Sequence, residues 1–490
     1  MKPTDEQFRA LFEPQGVIVA GASSHPGKFG FAALHNVLAA GYKGRVFALN
    51  RDGEEILGLE AATEVSELPD GAADLVVVCT PAAANPDLLR ACAAKGVRAA
   101  FVASAGYREA GDEGARAEAE LAALADELGI LLAGPNGQGL VSTPAELCAQ
   151  IVAPYPPAGS ISIASQSGNF VSSLMNYSVQ TGVGVARAVS VGNGAALTVP
   201  DYVEWFGSDP ATDVVIAYME SVSDGRSAYE QLRAVSERKP VVMVKGGVTA
   251  GGQRAASSHT GALATEDRVF DGMLRQAGVL RTGNIEDAFE LAATFATQPL
   301  PKGPNTVVVT TVGGWGVVTA DAIGASSLEL MALPDDLRAA IDSRLPPRWS
   351  RNNPIDMAGG ETRDTVPEVL ELVARHPQVD AVLYLGLGIQ SNTAKFLRQG
   401  PFFPDHGLDR IVSFHERQDR RFADTAAEIS DATGKPVLTS TELAVADPDN
   451  PGPAQVRATG RLCYSAAHRA VGALDRMWRY SLWRRRRGLA

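Results

Sequence analysis

Short apolar runs, each followed by a turn of small residues and then by a helix-like pattern, recur along the whole chain. The three clearest units begin with the apolar runs 17–20, 160–164 and 306–311. A continuous apolar run of this length, bounded by turn residues, is typical of a strand buried in a parallel sheet. Strands that alternate with helices predict doubly wound α/β sheets, whose ligands bind beyond the carboxyl ends of the strands. The recurrence therefore predicts three related α/β units in series.

Further apolar runs complete each unit. The predicted strands are 17–20, 46–49, 75–78, 99–102 and 130–133 in the first unit, 160–164, 185–191, 214–217 and 241–244 in the second, and 306–311, 381–385, 410–413 and 436–438 in the third. A long amphipathic helix is predicted over 461–483. Proline-rich connectors lie at 155–159 and 299–301. We therefore predict three domains, with boundaries at 1–150, 151–300 and 301–490.

The composition is that of a globular protein and argues against two classes of partner. The 490 residues are 45% hydrophobic and 20% charged, which is enough for several cores. A formal net charge of −12 argues against a nucleic-acid partner, and the basic run 484–487 is interpreted as a solvated tail. No apolar stretch is long enough to cross a membrane, and the four cysteines lack the spacing of a metal site or a secreted framework. A cytoplasmic protein without a membrane contact is therefore expected.

Small and polar residues stand at the carboxyl ends of the first unit's predicted strands, where a phosphorylated ligand would bind. They are Gly21, Ala22, Ser23, Lys28, Asn50, Arg51, Thr80, Pro81, Ser104, Gly106 and Asn136. Glycine lets the backbone approach a phosphate, and the start of a helix favours its charge. Arg51 stands where dinucleotide-binding folds place an acid, so it suits a phosphorylated ribose, which both CoA and NADP contain. Its position does not separate these two ligands, and an ordinary surface arginine is the alternative.

The second unit contains an anion-binding pattern. Ser165, Gln166, Ser167 and Gly168 follow the strand 160–164 and precede the helix-like stretch 169–180. A strand, a small polar turn and a helix start direct backbone N–H groups and two hydroxyls towards one place. This turn is therefore predicted to bind a phosphate group.

A glycine-rich loop over 245–264 follows the strand 241–244 and carries His259 near its end. A histidine in such a loop suits a carrier that moves a group between two sites, although a solvated surface histidine is the alternative. Glu220 follows the neighbouring strand. Its carboxylate suits the second ring N–H of a histidine, which would fix the tautomer, although a solvent-exposed charge at the end of a strand is equally consistent.

The segment Ser257, Ser258, His259, Thr260 and Gly261, after Lys245 and two glycines, resembles the phosphohistidine segment of the NDP-forming acyl-CoA synthetases, the superfamily of succinyl-CoA synthetase. Further similarities follow in the family's order: the turn at 21–30, the segments 48–50 and 55–58, the turn at 165–168, the stretches 190–193 and 218–220, and the sequence Asn-Pro-Ile-Asp at 353–356. The resemblance covers nearly the whole chain. It implies a Rossmann-like CoA-binding domain at 1–150, a ligase domain with the phosphohistidine loop at 151–300, and a second flavodoxin-like ligase domain at 301–490.

The same resemblance implies catalytic roles and partners. His259 would accept phosphate from ATP, Glu220 would orient the histidine, and the turn at 165–168 would hold the phosphoryl group. The residues listed for the first unit would bind CoA. No ATP-grasp portion is recognised, so the chain resembles the α subunit of ADP-forming acetyl-CoA synthetase. A separate ATP-grasp β subunit, in an α2β2 assembly, would bind ATP and Mg²⁺, and no metal site is expected on this chain.

One departure from the family and two alternative functions are open at this point. The sequence Gly134-Pro-Asn-Gly137-Gln138 has glycine where the family usually has cysteine. The first alternative is a CoA-binding regulatory or scaffold protein without catalysis. The second is an NADP-dependent oxidoreductase, although no residues suited to hydride transfer are recognised. The sequence does not name the carboxylic acid that would be the substrate.

Overall fold

The computed structural model describes residues 3–152, 154–254, 266–357, 359, 364–442, 447 and 449–489. The chain forms two compact units, Met1–Gln180 with Gly184–Ala292, and Thr181–Val183 with Ala293–Ala490. The fold is α/β with mainly parallel sheets, as the sequence predicts. His259 lies outside the described residues.

The first sheet of unit 1 is parallel and lies within 16–133, all of which is described. The strands are β1 (Gly16–Ala20), β2 (Arg45–Leu49), β3 (Glu55–Ile56), β4 (Leu59–Glu60), β5 (Leu75–Val78), β6 (Ala99–Val102) and β7 (Leu131–Ala133). The helices are α1 (Asp5–Phe12), α2 (Phe29–Ala39), α3 (Asn85–Ala94) and α4 (Asp112–Glu127). The sheet order is β2-β1-β5-β6-β7, and β3 and β4 form a separate antiparallel ribbon. Strands β1, β5 and β6 are buried throughout because helices cover both faces of the sheet.

The second sheet of unit 1 has the order β14-β13-β12-β10-β11-β8-β9 among the described residues. Its strands are β8 (Gly139–Ser142), β9 (Leu147–Gln150), β10 (Ala158–Ser165), β11 (Val185–Ser190), β12 (Val214–Met219), β13 (Val241–Lys245) and β14 (Leu280–Thr282). The helices that follow in the described chain are α5 (Gly168–Thr181), α6 (Val199–Ser208), α7 (Gly225–Ser236), α8 (Asp267–Ala277) and α9 (Ile285–Thr297). The pair β8 and β9 is an antiparallel addition that the sequence analysis missed. Residues 139–150 therefore pair with the second sheet.

Helix α1 connects the two sheets of unit 1. Phe8 and Phe12 stack on the indole of Trp205, with ring centroids 5.2 and 5.1 Å apart. Beneath them Arg187, 1% exposed, pairs with Asp209 at 3.2 Å and with Glu13. Removing one partner of such a buried ion pair typically costs about 3–5 kcal/mol, because the other charge is left uncompensated. The N-terminal helix is therefore part of the second sheet's core.

Unit 2 contains a third, parallel sheet, with the order β16-β15-β18-β19-β20 and β17 beside β15 in its described part. The strands are β15 (Asn305–Thr310), β16 (Glu329–Leu330), β17 (Ile355–Asp356), β18 (Ala381–Leu385), β19 (Val437–Ser440) and β20 (Cys463–Tyr464). The helices are α10 (Gly313–Gly324), α11 (Asp335–Asp342), α12 (Thr365–Arg375), α13 (Ile389–Gln399), α14 (Leu408–Thr433), α15 (Pro451–Ala458) and α16 (Ala467–Arg486).

Two sequence predictions in unit 2 are wrong. The strand predicted at 410–413 lies inside helix α14, where Val412 is buried and Ile411 is 39% exposed. Buried positions continue at Phe422, Ala426 and Ile429, a helical spacing that the two β-branched residues obscured. The closing helix begins at Ala467, and part of the predicted helix forms strand β20.

In the described residues, no helix combines the length and apolarity that a membrane span requires. The domain boundaries at 150 and 300 stay a prediction.

Candidate functional site

Two glycines shape the turn after β1, in the unit that is predicted to bind CoA. Gly21 follows β1 with φ of 79°, and a Cβ there would lie 2.9 Å from the Cys79 carbonyl carbon. Gly30, in the first turn of α2, packs against the Gly21 carbonyl so closely that any Cβ would overlap it. Ala22 is buried, and exposed Lys28 is the N-cap residue of α2. The backbone is therefore bare and tightly curved at the place predicted to approach a phosphate.

Two predicted residues follow β2: Asn50 has a structural role, and the guanidinium of Arg51 is exposed. Asn50 donates its amide to the Ala22 carbonyl at 2.8 Å and accepts the Asp52 N–H at 2.7 Å, so it braces the first turn. Ser23 accepts the N–H of His25 at 3.1 Å. The Arg51 side chain is 92% exposed, with one contact to Asp52 at 3.4 Å. Arg51 is therefore accessible to a phosphorylated ribose.

The next two strand ends are connected by hydroxyl groups. Thr80 donates to the side-chain oxygen of Asn85 at 2.7 Å, and Ser104 donates to the Thr80 carbonyl. The buried Asn85 amide in turn donates to Tyr107 Oη at 2.6 Å. Pro81 follows Thr80 at the exposed surface. Thr80 and Ser104 thus hold the edge of the sheet in shape, and their hydroxyls are engaged within the protein.

Glu109 occupies the backbone donors of the loop that follows β6. Its Oε1 accepts the N–H groups of Gly106, at 2.5 Å, and Tyr107, at 3.1 Å, while Oε2 accepts the amide of Asn193 at 2.6 Å. Burial raises the pKa of Glu109, but these hydrogen bonds outweigh it and hold the pKa below its ordinary value. The N–H of Gly106, a residue predicted to bind CoA, therefore already has an anionic partner.

The loop after β7 lies against the loop after β11. Asn136, at φ of 59°, donates its amide to Asn193 Oδ1 at 3.3 Å. A Cβ on Gly137 would lie 2.6 Å from the Ser190 carbonyl oxygen and 2.7 Å from a ring carbon of Phe101. Glycine is therefore required by packing at the position where the family usually has cysteine, and a cysteine side chain would displace the loop.

The turn predicted to bind phosphate closes on itself through a serine. The Ser165 hydroxyl donates to the Ser167 carbonyl at 2.7 Å and accepts the Ser167 N–H at 3.1 Å. Helix α5 then begins at Gly168, directly after the turn. Ser165 is fully buried, so its role is to hold the conformation of the turn. The first turn of α5 provides the N–H groups that favour an anion.

Gln166 connects this turn to the end of β12. Its side-chain oxygen accepts the N–H groups of Glu220, at 2.5 Å, and Ser221, at 3.4 Å. The Gln166 N–H itself donates to the Tyr218 carbonyl at 3.2 Å. The structure therefore brings the predicted turn and the predicted glutamate together, with Gln166 as the direct link.

Glu220, which is 6% exposed, is held by two neighbours to which the sequence analysis gave no role of their own. The Tyr218 hydroxyl donates to Glu220 Oε1 at 3.0 Å, and burial together with that carboxylate raises the Tyr218 pKa, so the phenol keeps its proton. Lys245 donates to the Glu220 carbonyl at 2.8 Å. Burial lowers the Lys245 pKa. The Tyr218 hydroxyl therefore orients the carboxylate, and Lys245 holds the backbone that carries it.

The loop that carries His259 starts against this pair. A Cβ on Gly246 would lie 2.5 Å from Tyr218 Oη and 3.1 Å from Glu220 Cγ. Glycine at the first loop position therefore allows the chain to leave β13 in contact with Glu220. The predicted pairing of Glu220 with His259 stays a prediction, because the histidine is outside the described residues.

Gln138 is a further residue at this site to which the sequence analysis gave no role. Its amide donates to Asn169 Oδ1 at 2.9 Å and accepts the Ser172 hydroxyl at 3.2 Å, so it lies on the first turn of α5. Gly168 accommodates it, since a Cβ there would overlap the Gln138 side chain. The feature of the sequence that could have identified Gln138 is its position as a long polar residue directly after the tight Asn136-Gly137 loop.

A cavity of about 770 Å³ joins these features within unit 1. Its wall combines Asn136, Gly137 and Gln138 from the first-sheet side with residues 166–168 of the phosphate turn and the stretch after β12. Arg108 and Asn193 also line it. The volume suits a small organic ligand together with the end of a larger one. One chamber thus contains both the predicted phosphate turn and part of the predicted CoA surface.

Three family models match the chain in the order of its sheets. A CoA binding domain matches residues 15–142, a succinyl-CoA ligase like flavodoxin domain matches 158–295, and a ligase-CoA domain matches 306–391. The chain is also 35% identical over 382 residues to the Pyrococcus furiosus acetate–CoA ligase [ADP-forming] I subunit alpha, covering 77% of this chain and 82% of that one. The chain belongs to the NDP-forming acyl-CoA synthetase superfamily.

Two further relatives show which part of the family the chain matches. An acetate–CoA ligase [ADP-forming] I of Archaeoglobus fulgidus is 35% identical over 373 residues, which are 76% of this chain and 54% of that protein. The solved acetyl-coenzyme A synthetase 1 of Ca. Korarchaeum cryptofilum superposes with a TM-score of 0.84 at 30% identity and covers 99% of both chains. The chain therefore has the α-type arrangement of the family, and the predicted family and fold are confirmed.

Proposed function

We propose that this chain is the α subunit of an ADP-forming acyl-CoA synthetase, which joins a carboxylic acid to CoA while ATP is converted to ADP and phosphate. The observation that carries the proposal is the shared cavity, whose wall contains Gln166, Ser167 and Gly168 of the phosphate turn together with the loop of Asn136 and Gly137. CoA is a substrate, in keeping with the matched CoA binding domain.

His259 is proposed as the residue that carries the phosphoryl group. The neutral imidazole attacks the γ-phosphorus of ATP, an N–P bond forms, and ADP leaves with the electron pair of the broken O–P bond. Glu220 accepts the other ring N–H and stabilises the charged ring. This role is supported by the fixed orientation of Glu220 under Tyr218 and by the closeness of Gly246.

The phosphoryl group then passes to the acid at the start of α5. A carboxylate oxygen attacks phosphorus, the N–P bond breaks, and the electron pair returns to the imidazole. The helix start at Gly168 stabilises the negative oxygens throughout the transfer. The thiol sulfur of CoA next attacks the acyl carbon, the bond to phosphate breaks, and the leaving phosphate takes the thiol proton.

The CoA contacts are proposed from the first sheet's carboxyl edge. Arg51 is the residue best placed to pair with a phosphate, because its side chain is open to solvent. Gly21, Ala22, Ser23 and Lys28 supply bare backbone and the start of a helix. The remaining residues of the predicted CoA set, Asn50, Thr80, Pro81, Ser104, Gly106 and Asn136, shape the edge that CoA would contact.

The partner is proposed to be an ATP-grasp β subunit in an α2β2 cytoplasmic enzyme. The relative named as a subunit alpha supports a separate partner chain. ATP and Mg²⁺ would be bound mainly by that partner. In the described part of this chain, no group of three or more His, Cys, Asp or Glu side chains is arranged to hold a metal.

The test is a phosphate-labelling experiment with the reconstituted enzyme. We expect acid-labile phosphate on His259 after incubation with labelled ATP and the partner, and again after incubation with an acyl-CoA and labelled phosphate. A His259→Ala protein should lose both signals and its turnover. Label on another residue, with turnover retained in His259→Ala, would refute the proposal. A panel of short aliphatic, hydroxylated and aromatic acids would then identify the substrate.

A further inference from the structure

We propose that Gln138 is a catalytic residue of the acyl-transfer half of the reaction, donating an amide N–H to the acyl phosphate at the start of α5. The inference rests on the proposed function, because it requires an acyl phosphate in the cavity. It extends that function by adding a donor from the first-sheet side of the site.

The position of Gln138 is fixed by its backbone. Its N–H donates to the Ser190 hydroxyl at 3.0 Å, and its carbonyl accepts the N–H of Ile151 at 2.9 Å. The preceding Gly137 is confined by Ser190 and Phe101. A residue held on both sides in this way needs little reorganisation during the reaction, which is what a preorganised donor requires.

The side chain of Gln138 is oriented by two bonds and keeps one donor in reserve. Nε2 donates one hydrogen to Asn169 at 2.9 Å, and Oε1 accepts the Ser172 hydroxyl at 3.2 Å. A primary amide has two N–H groups. Within the described residues the second N–H has no hydrogen-bond partner, and the residue lines the 770 Å³ cavity. The free donor is therefore available to a ligand beside Gly168.

The start of α5 differs in charge from the starts of α6 and α7. The starts of α6 and α7 each have a carboxylate from the chain itself. Asp201 accepts the N–H of the N-cap residue Thr198 at 2.8 Å, and Asp224 accepts the first-turn N–H groups of Arg226 and Ser227. The start of α5 instead meets the neutral amide of Gln138. A carboxylate there would repel a phosphoryl group, whereas an amide compensates none of the helix charge and adds a donor.

The bonding change explains why such a donor would accelerate the reaction. When the CoA sulfur forms its bond to the acyl carbon, the carbonyl electron pair moves to oxygen, and the oxygen becomes negative. When the carbonyl re-forms, the C–O bond to phosphate breaks and phosphate leaves with that electron pair and the thiol proton. A donor at either oxygen stabilises charge that develops only during these steps. Phosphorylation of His259 by ATP does not involve the acyl group.

Two routes to the same phosphohistidine therefore test the role of Gln138. The complex with its partner is labelled either from γ-labelled ATP or from an acyl-CoA with labelled phosphate. The acyl-CoA used is whichever of acetyl-, 4-hydroxybutyryl- and aryl-CoA labels the wild type fastest. In Gln138→Ala, we expect the ATP route to run at the wild-type rate and the acyl-CoA route to slow on the order of 100-fold, as for the loss of one oxyanion donor.

A control amide on the same helix separates catalysis from folding. Asn176 donates to the Ser172 carbonyl at 2.9 Å, is exposed, and is not part of the cavity wall. Asn176→Ala should leave both routes unchanged. Wild-type labelling of Gln138→Ala by the acyl-CoA route, or equal slowing of both routes, would overturn the role of Gln138 alone. A wild-type enzyme that takes label by neither route would instead refute the proposed function, and this inference with it.

Discussion

At the end of β10 the Ser165 hydroxyl closes a turn on Ser167, and at the end of β15 the Thr310 hydroxyl makes the same two bonds with Val312, both at 2.9 Å. Glycine follows in each case, and a helix begins. The neighbours of the two glycines differ. Gly168 is covered by the neutral amide of Gln138, whereas Gly313 is covered by the carboxylate of Asp356, which any Cβ there would overlap.

The same contrast extends to a second helix of unit 2. The buried carboxylate of Asp419 accepts the N–H groups of Gly388, at 3.2 Å, and Ser391, at 2.6 Å, and so caps α13. Helices α10 and α13 thus have an anion from the chain itself at or near their first turn. Helix α5 has none among its described contacts. The turns after β10 and β15 therefore share their geometry. The residue that covers the helix start decides whether the partial positive charge of the helix is already compensated or is open to a phosphate.

The largest effect is expected for Glu220, whose backbone is linked by Gln166 to the turn before α5. Glu220→Gln should lower turnover by roughly 10²- to 10⁴-fold, the range for a group that manages a proton or charge in the transition state. CoA affinity should not change. Steady-state kinetics and calorimetric binding of CoA measure the two quantities. Glu230→Gln, at an exposed position on α7, is the control and should be silent. Unchanged turnover in Glu220→Gln would show that the charge of Glu220 is not used in the reaction.

The buried cap of α13 should make unit 2 sensitive to pH. Burial raises the pKa of Asp419 to about 6, from 3.8. Between these values the native carboxyl keeps a proton that the unfolded chain releases, so stability falls as the pH rises from about 4 to about 6. The loss is on the order of 2–3 kcal/mol. Thermal unfolding followed at several pH values should show this loss in the wild type and not in Asp419→Asn. Parallel pH curves for the two proteins would contradict the expectation.

The hydrogen bonds of Gln166, which link the phosphate turn to the end of β12, should contribute less to stability. Gln166→Ala leaves the N–H groups of Glu220 and Ser221 without their acceptor, which should cost about 1–2 kcal/mol of stability. Gln166→Glu keeps an acceptor oxygen, so it should retain stability, but its charge should oppose phosphate and lower turnover. Chemical unfolding and kinetics of both variants separate the two effects. Equal stability of Gln166→Ala and the wild type would show that the link is not structural.

The smallest effect is expected at the covered helix start. Asp356→Asn removes the charge at the start of α10 and should lower the free energy of unfolding by about 0.3–1 kcal/mol. Because salt screens such an interaction, the difference from the wild type should shrink at high ionic strength. Unfolding at low and high salt measures it. A difference that does not depend on salt would mean that Asp356 acts through packing alone.

Most of the fold could be predicted because its strands are continuous apolar runs between turn residues. Runs such as 75–78 and 99–102 form strands with the predicted bounds, since burial on both faces leaves no polar position to blur the pattern. The run 410–413 failed because two β-branched residues form one turn of a long amphipathic helix. The pair β8 and β9 was missed because its pairing with β11 is a tertiary contact between distant residues.

The candidate site was predicted in part. The turn at 165–168 and Glu220 follow from residue types at strand ends, and the structure links them directly. Gln138, Tyr218 and Lys245 could not be assigned in advance, because their roles depend on which strand ends are neighbours in the second sheet. The position of Glu109 on the Gly106 N–H likewise results from a loop conformation that the sequence pattern does not encode.

The packing of α1 on Trp205 and Arg187 bears on how this enzyme can be re-engineered. A CoA-binding segment transplanted from another synthetase would bring its own first helix. That helix would have to supply aromatic rings for Trp205 and an acid in the place of Glu13 for the buried Arg187. Successful chimaeras should therefore exchange α1 together with α6 and β11. A junction placed between the two sheets would instead separate Phe8 and Phe12 from Trp205, and Glu13 from Arg187.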